Sequence, residues 1–185
     1  MKRLEVVMLM FVLNMIIPAL KAAAETGWKT YTSEFVGYSI AYPDFLKEIP
    51  WTVLHPEADP VSPAQWRNKT FRSSDGEVTL LVETQYTEST LSDLFEYAQH
   101  SGAEHGDNME YLVTTNNWYV ISGINPHGYE FYIKCYLFPP TPGENSDWYI
   151  QFVFVYPHSQ HKIYDPLVGK ITQSFVPKLP VELNH

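Results

Sequence analysis

Asp147-Trp148-Tyr149-Ile150-Gln151-Phe152-Val153-Phe154-Val155-Tyr156 decides the fold. Alternation along a strand places Trp148, Ile150, Phe152, Phe154 and Tyr156 on one face, while Val153 and Val155 stand on the other. A strand that is apolar on both faces is covered on both. Tyr129 to Phe138 has the same character, so two neighbouring strands lie inside a layered structure. The rest of the chain must supply the sheet around them and a cover above and below.

Upstream, Trp118 to Ile124 and Glu110 to Thr115 read as strands joined through Asn116-Asn117. Asn125-Pro126-His127-Gly128 has the residue order of a type I turn leading into Tyr129. Lys69 to Arg72 and Glu77 to Gln85 pair as a hairpin across Ser73-Ser74-Asp75-Gly76. Gly37 to Pro43 alternates and ends at proline, as a first strand does, and Trp51 to His55 reads as a short second strand. Glu25 to Ser33 reads as a polar lead-in.

Two helices supply the covers. Thr90 caps the first, with Asp93 as the capping-box acid; Leu91, Leu94, Phe95 and Ala98 form its apolar stripe, and Gly102 ends it. Asp165 caps the second and Pro166 is its first residue. Leu167, Val168, Ile171 and Phe175 form its stripe and Pro177 stops it. The expected fold class is α+β: an α/β/α sandwich around one antiparallel sheet of about six or seven strands, with Trp118 and Phe152 in its core.

Residues 1–24 read as a secretory leader. Lys2 and Arg3 form a basic start, Val6 to Leu20 an apolar run, and Ala22-Ala23-Ala24 a small-residue cleavage site before Glu25. The run is short of the about 20 residues a membrane helix needs and is interrupted by Asn14. An uncleaved membrane anchor is the alternative, and Glu5 is the residue that favours it. With no cysteine near the cleavage site, a lipid anchor has no attachment point. The expected organisation is a signal peptide over 1–24 and one globular domain over 25–185, with its core over about 31–177; the expected location is periplasmic or secreted.

Removing the leader takes away Lys2, Arg3, Lys21 and Glu5, leaving nine basic and twenty acidic residues and a net charge of −11. An acidic chain without a basic stripe repels phosphate backbones and anionic membrane surfaces, so nucleic acid is excluded as a partner. A basic protein or a cation remains compatible. The lone Cys135 makes no internal disulfide, and alternation places it beside Ile133 and Leu137 as a small buried hydrophobe.

Three stretches in order resemble small exported bacterial proteins of the PsbP-like fold. Gly37-Tyr38-Ser39-Ile40-Ala41-Tyr42-Pro43 is similar to their opening, and Asn117-Trp118-Tyr119-Val120-Ile121-Ser122-Gly123 to their mid-sheet strand. Tyr156-Pro157, then Tyr164-Asp165-Pro166-Leu167-Val168 and Ser174-Phe175, is similar to their closing helix. The resemblance covers about residues 31–177 and implies an α/β/α sandwich. Distant members of that fold include photosystem II extrinsic proteins and a Ran-binding nuclear import factor, activities that do not follow from the fold. The matched residues are turn and core types, and the resemblance implies no catalytic set.

The chemistry-bearing residues are few. His158, His161 and Asp165 give His-x-x-His…Asp, which on a helix would share a face and could hold a metal. Pro157 and Pro166 bracket the segment, and the competing reading is a solvated loop with Asp165 as a cap. His100 and His105, near Glu104 and Asp107, flank the end of the first helix, where the helix dipole favours a histidine. His55 follows a strand beside Glu57 and Asp59, and His127 sits at a turn tip. No nucleophile elbow, phosphate-binding glycine loop or His-Glu-x-x-His occurs.

Three functional expectations follow. The first is a non-enzymatic exported domain, without a cofactor, that binds a protein or small molecule in the cell envelope through the proline-rich loops Pro56 to Gln65 and Pro139 to Ser146. The second is a metal-binding protein using His158 and His161. The third is a hydrolase whose site assembles from scattered residues.

Overall fold

The computed structural model describes residues 27–33, 37–57, 67–138 and 147–177. The leader stretch, most of Pro56 to Gln65 and all of Pro139 to Ser146 lie outside the described residues.

Seven strands form the main antiparallel sheet in the order β3-β4-β5-β9-β8-β7-β6. They are β3 (Lys47–Ile49), β4 (Lys69–Arg72), β5 (Thr79–Thr87), β6 (Asn108–Thr114), β7 (Trp118–Ile124), β8 (Tyr129–Phe138) and β9 (Asp147–Pro157). A second sheet of three strands, β1-β2-β10, joins β1 (Trp28–Ser33), β2 (Tyr38–Pro43) and β10 (Val176–Pro177). The expected single sheet is therefore two, and the lead-in residues 28–33 are a strand, pairing with β2 from Trp28↔Pro43 to Ser33↔Tyr38.

One face of β9 is fully buried and the other half-buried. Trp148, Ile150, Phe152, Phe154 and Tyr156 are all buried. On this side Ile150, Phe152, Phe154 and Tyr156 meet Tyr38 and Ile40 of β2, and Leu167 and Ile171 of the C-terminal helix α3 (His161–Ser174), with Phe175 just beyond it. Phe175 stands edge-on to Phe152 with ring centroids 5.1 Å apart. On the opposite side, helix α2 (Leu91–His105) brings Leu91, Leu94, Phe95 and Ala98 against Tyr119, Ile121 and Cys135.

The α2 cap follows the sequence. Thr90 Oγ1 accepts from the Asp93 N–H, and Asp93 Oδ2 accepts from the Thr90 N–H at 2.8 Å. Replacing Thr90 by alanine leaves first-turn donors unpaired. Thr90→Ala is expected to cost about 1 kcal/mol in urea denaturation. The helix runs past Gly102 and stops at Gly106, whose φ of 80° is the left-handed conformation glycine supplies most readily. Asp107 N–H closes the end on the Gly102 carbonyl at 2.9 Å. His105, rather than His100, therefore occupies the last turn.

Two further expectations are corrected. Trp51–Leu54 is one helical turn, α1, following β3 rather than a strand. The C-terminal helix begins at His161, after a 3₁₀ turn over His158–Gln160, so Asp165 and Pro166 lie inside it rather than at its start. Pro166 leaves the Lys162 carbonyl without its helical donor, a cost softened by the exposure of Lys162 to water. The loop reading of residues 158–165 gives way to a continuous helical segment. Among the described residues, no helix is long and apolar enough to cross a membrane.

Candidate functional site

Helix α2 contacts mainly β6 and β7. It leaves the same face of β8 and β9 partly open, and a groove of about 570 Å³ runs between helix and sheet. Its floor is Tyr119, Ile121, Phe131, Ile133, Cys135, Tyr149, Gln151 and Val153, all pointing to one side of their strands by alternation. Leu94, Ala98 and Ser101 of α2 form one wall, and Met109 of β6 lies under Gly102. That volume is in the range of small-molecule sites, about 300–1,000 Å³.

The rim is polar. His105 ends the helix, and Asp107 follows it. Asn125, Pro126 and His127 come from the β7–β8 turn, whose geometry the sequence specifies. Gly128 N–H donates to the Asn125 carbonyl at 3.0 Å, and Asn125 Oδ1 accepts from the His127 and Tyr129 N–H groups. His105 Nδ1 lies 2.6 Å from the Ser101 carbonyl and so carries a proton, which leaves Nε2 of the neutral ring as an acceptor. Burial pushes the Cys135 thiol up to about 12 and the Tyr149 hydroxyl up to about 12. Cys135 and Tyr149 are therefore held in their protonated forms on the apolar floor.

The residues singled out in sequence as metal candidates lie on the other side of the sheet, and the structure brings them together. His161 and Asp165 stand one turn apart on α3, with Nδ1 3.2 Å from Oδ2. His158 Nδ1 lies 2.6 Å from Glu130 Oε1. Tyr156 pairs across the ladder with Glu130, and its hydroxyl lies 2.9 Å from Glu130 Oε2 and 3.0 Å from Asp165 Oδ1. Burial, and then these two carboxylates, push the Tyr156 hydroxyl far above its usual range. It therefore remains a donor. The imidazoles of His158 and His161 are stacked with centroids 5.4 Å apart. A hollow of about 220 Å³ beside them is lined by Glu110, Glu130, Tyr156 and Asp165, among others.

Sequence reasoning missed Glu130 because it lies 28 residues before His158. The Glu130↔Tyr156 pairing alone places it there. Two other histidines among the described residues are accounted for locally: His100 pairs with Glu104 at 3.2 Å, and the His55 ring lies against Trp51 with centroids 3.7 Å apart.

No family model and no curated protein matches the chain. Among solved structures, the solution structure of cyanobacterial PsbP (CyanoP) from Synechocystis sp. PCC 6803 aligns with a TM-score of 0.52 at 15% identity, over 83% of this chain and 94% of that one. The fold is PsbP-like. LpqN, involved in cell envelope biogenesis of Mycobacterium tuberculosis, aligns at 9% identity over 83% of this chain and 92% of its own, with a TM-score of 0.48. A point mutant of the protein Mog1 aligns at 11% identity over 82% of this chain and 96% of its own, with a TM-score of 0.45.

The residues that carried the PsbP-like resemblance in sequence prove to be architectural. Gly37 has φ 69°, which turns the chain into β2. Tyr38 and Phe175 meet edge-on at 6.2 Å, and Tyr156 lies 5.6 Å from Tyr164. In this PsbP-like chain, the family-like positions mark where the two sheets and α3 lock together. The groove is lined mainly by other residues.

Proposed function

We propose that the chain is an exported, non-catalytic binding domain, and that its ligand is a small molecule with an apolar body seated in the groove beneath α2. The groove itself carries this reading: an apolar floor, a polar rim and about 570 Å³ of space on an otherwise closed PsbP-like core. An apolar body buried there gains about 25 cal/mol per Å² removed from water. His105, Asp107, Asn125 and His127 at the mouth then orient whatever polar end the ligand has. The leader-like sequence of residues 1–24 supports export, and the groove's protonated thiol and phenol support binding over catalysis.

The test uses 8-anilinonaphthalene-1-sulfonate as a probe. The full chain should bind the dye with enhanced fluorescence, and Ser101→Trp, which fills the groove from the helix side, should abolish that signal while the melting temperature is held. Unchanged dye binding in the tryptophan variant would place the apolar site elsewhere and overturn the reading.

A further inference from the structure

We infer that Glu130, His158, His161 and Asp165 form a binding site for a divalent transition-metal ion of the zinc type, on the face of the sheet opposite the groove. One donor atom each from Glu130, His161 and Asp165 already lies within 4.8 Å of the others. His158 joins them through its contact with Glu130 Oε1.

The electrostatics argue for a cation. Two carboxylates face one another across the Tyr156 hydroxyl, which has one proton to give. Among the described residues, no lysine or arginine pairs with Glu130 or Asp165; their ion-pair partners are the two imidazoles. Glu110, on the rim of the adjoining hollow, adds a third carboxylate nearby. A divalent ion among these groups neutralises Glu130 and Asp165 and gives each imidazole a nitrogen-to-metal bond in place of a shared proton.

The donor set selects the class of ion. Two imidazoles with two carboxylates match zinc and its neighbours, whereas calcium and magnesium favour all-oxygen shells of six or more ligands. Bond lengths near 2.0–2.2 Å in a tetrahedron require donors about 3.3 Å apart, so Glu130, His161 and Asp165, now within 4.8 Å of one another, must tighten by up to roughly 1.5 Å, and His158 must turn from Glu130 Oε1 toward them. Asp165 and His158 have half-exposed side chains and can rotate to do this. Tyr156 is buried and meets both carboxylates, so it acts as a positioning residue from behind.

The experiment is a titration of the full chain, first stripped with a chelator, with Zn²⁺ and with Co²⁺. Zn²⁺ should raise the melting temperature with stoichiometric saturation, and Co²⁺ should give the intense visible bands of a four-coordinate site. His161→Ala and Asp165→Asn should each weaken binding by at least about tenfold and bleach the cobalt spectrum. His100→Ala, which removes the exposed His100–Glu104 pair on α2, should change neither. No stabilisation at millimolar Zn²⁺, a six-coordinate cobalt spectrum, or unchanged binding in both His161→Ala and Asp165→Asn would each overturn the inference. None of these readouts involves the groove, so its reading stands or falls separately.

Discussion

Replacing Phe152 by alanine lowers stability by about 3–5 kcal/mol in urea or thermal denaturation, the usual cost of removing a buried aromatic ring. Phe152 has no exposed surface and sits at the centre of the larger core. Its ring meets Phe175 edge-on at 5.1 Å and stacks with Tyr132 at 5.8 Å. Those neighbours come from β8 and from the end of α3, so none can collapse into the hole without moving a whole element. Trp118 is the internal comparison. Sequence placed it in the core beside Phe152, yet it is half-buried, with the Lys134 ammonium 5.1 Å above its ring. Trp118→Ala should therefore cost clearly less. Equal losses at the two sites, or a loss below ~1 kcal/mol at Phe152, would refute the assignment of faces.

Gly123→Ala is the second large effect, and it comes from backbone rather than from a cavity. A Cβ on Gly123 would run into the Asn108 carbonyl oxygen and stand 2.9 Å from the Met109 Cα. Both belong to β6, which bulges here: Met109 opposes Gly123, Tyr111 opposes Ser122, and Glu110 is the extra residue between. Main chain cannot rotate out of the way as a side chain can. The expected cost is about 1–3 kcal/mol, the range for overpacking. Because Met109 also lines the groove, dye binding should weaken along with stability. A shift under ~0.5 kcal/mol would mean that β6 yields freely at its bulge.

The legible parts of this fold were those where chemistry and spacing agree. Trp118–Ile124 and Tyr129–Phe138 begin and end where read, because the Asn125–Gly128 turn fixes their joint. The two-faced strand over Asp147–Tyr156 predicted covers on both sides; α3 and the small sheet bury one face, while on the other α2 lies over β6 and β7 and leaves this strand half-buried in the groove. Misreadings arose where local signals pull apart. Trp51–Leu54 is short and apolar, a pattern that serves strand and helix equally well, and the proline before it suits a helical start. Trp28–Ser33 looked polar because it is an edge strand with a largely exposed pattern. Pro157 and Pro166 suggested a break, but Pro157 precedes the 3₁₀ turn and Pro166 is absorbed within α3.

Of the metal-type cluster, the spacing of His161 and Asp165 was readable on one helix. Glu130 was not, because only strand register brings it there. The groove had no signal in sequence at all: it comes from where α2 lies across the sheet, a tertiary property that no residue pattern states.

The small sheet β1-β2-β10 joins the beginning of the described chain to its end. Ser174 Oγ accepts from the Ala41 N–H at 2.8 Å across 133 residues of sequence, and Val176 pairs with Ser39. Closing such distant partners is slow, because the entropy of the long loop is lost before the contact rewards it. A ribosome making this chain releases β2 long before α3 and β10 exist to bury Tyr38 and Ile40. The polypeptide therefore cannot complete this core until residue 177 has left the ribosome, and until then Tyr38 and Ile40 stay open to chaperones.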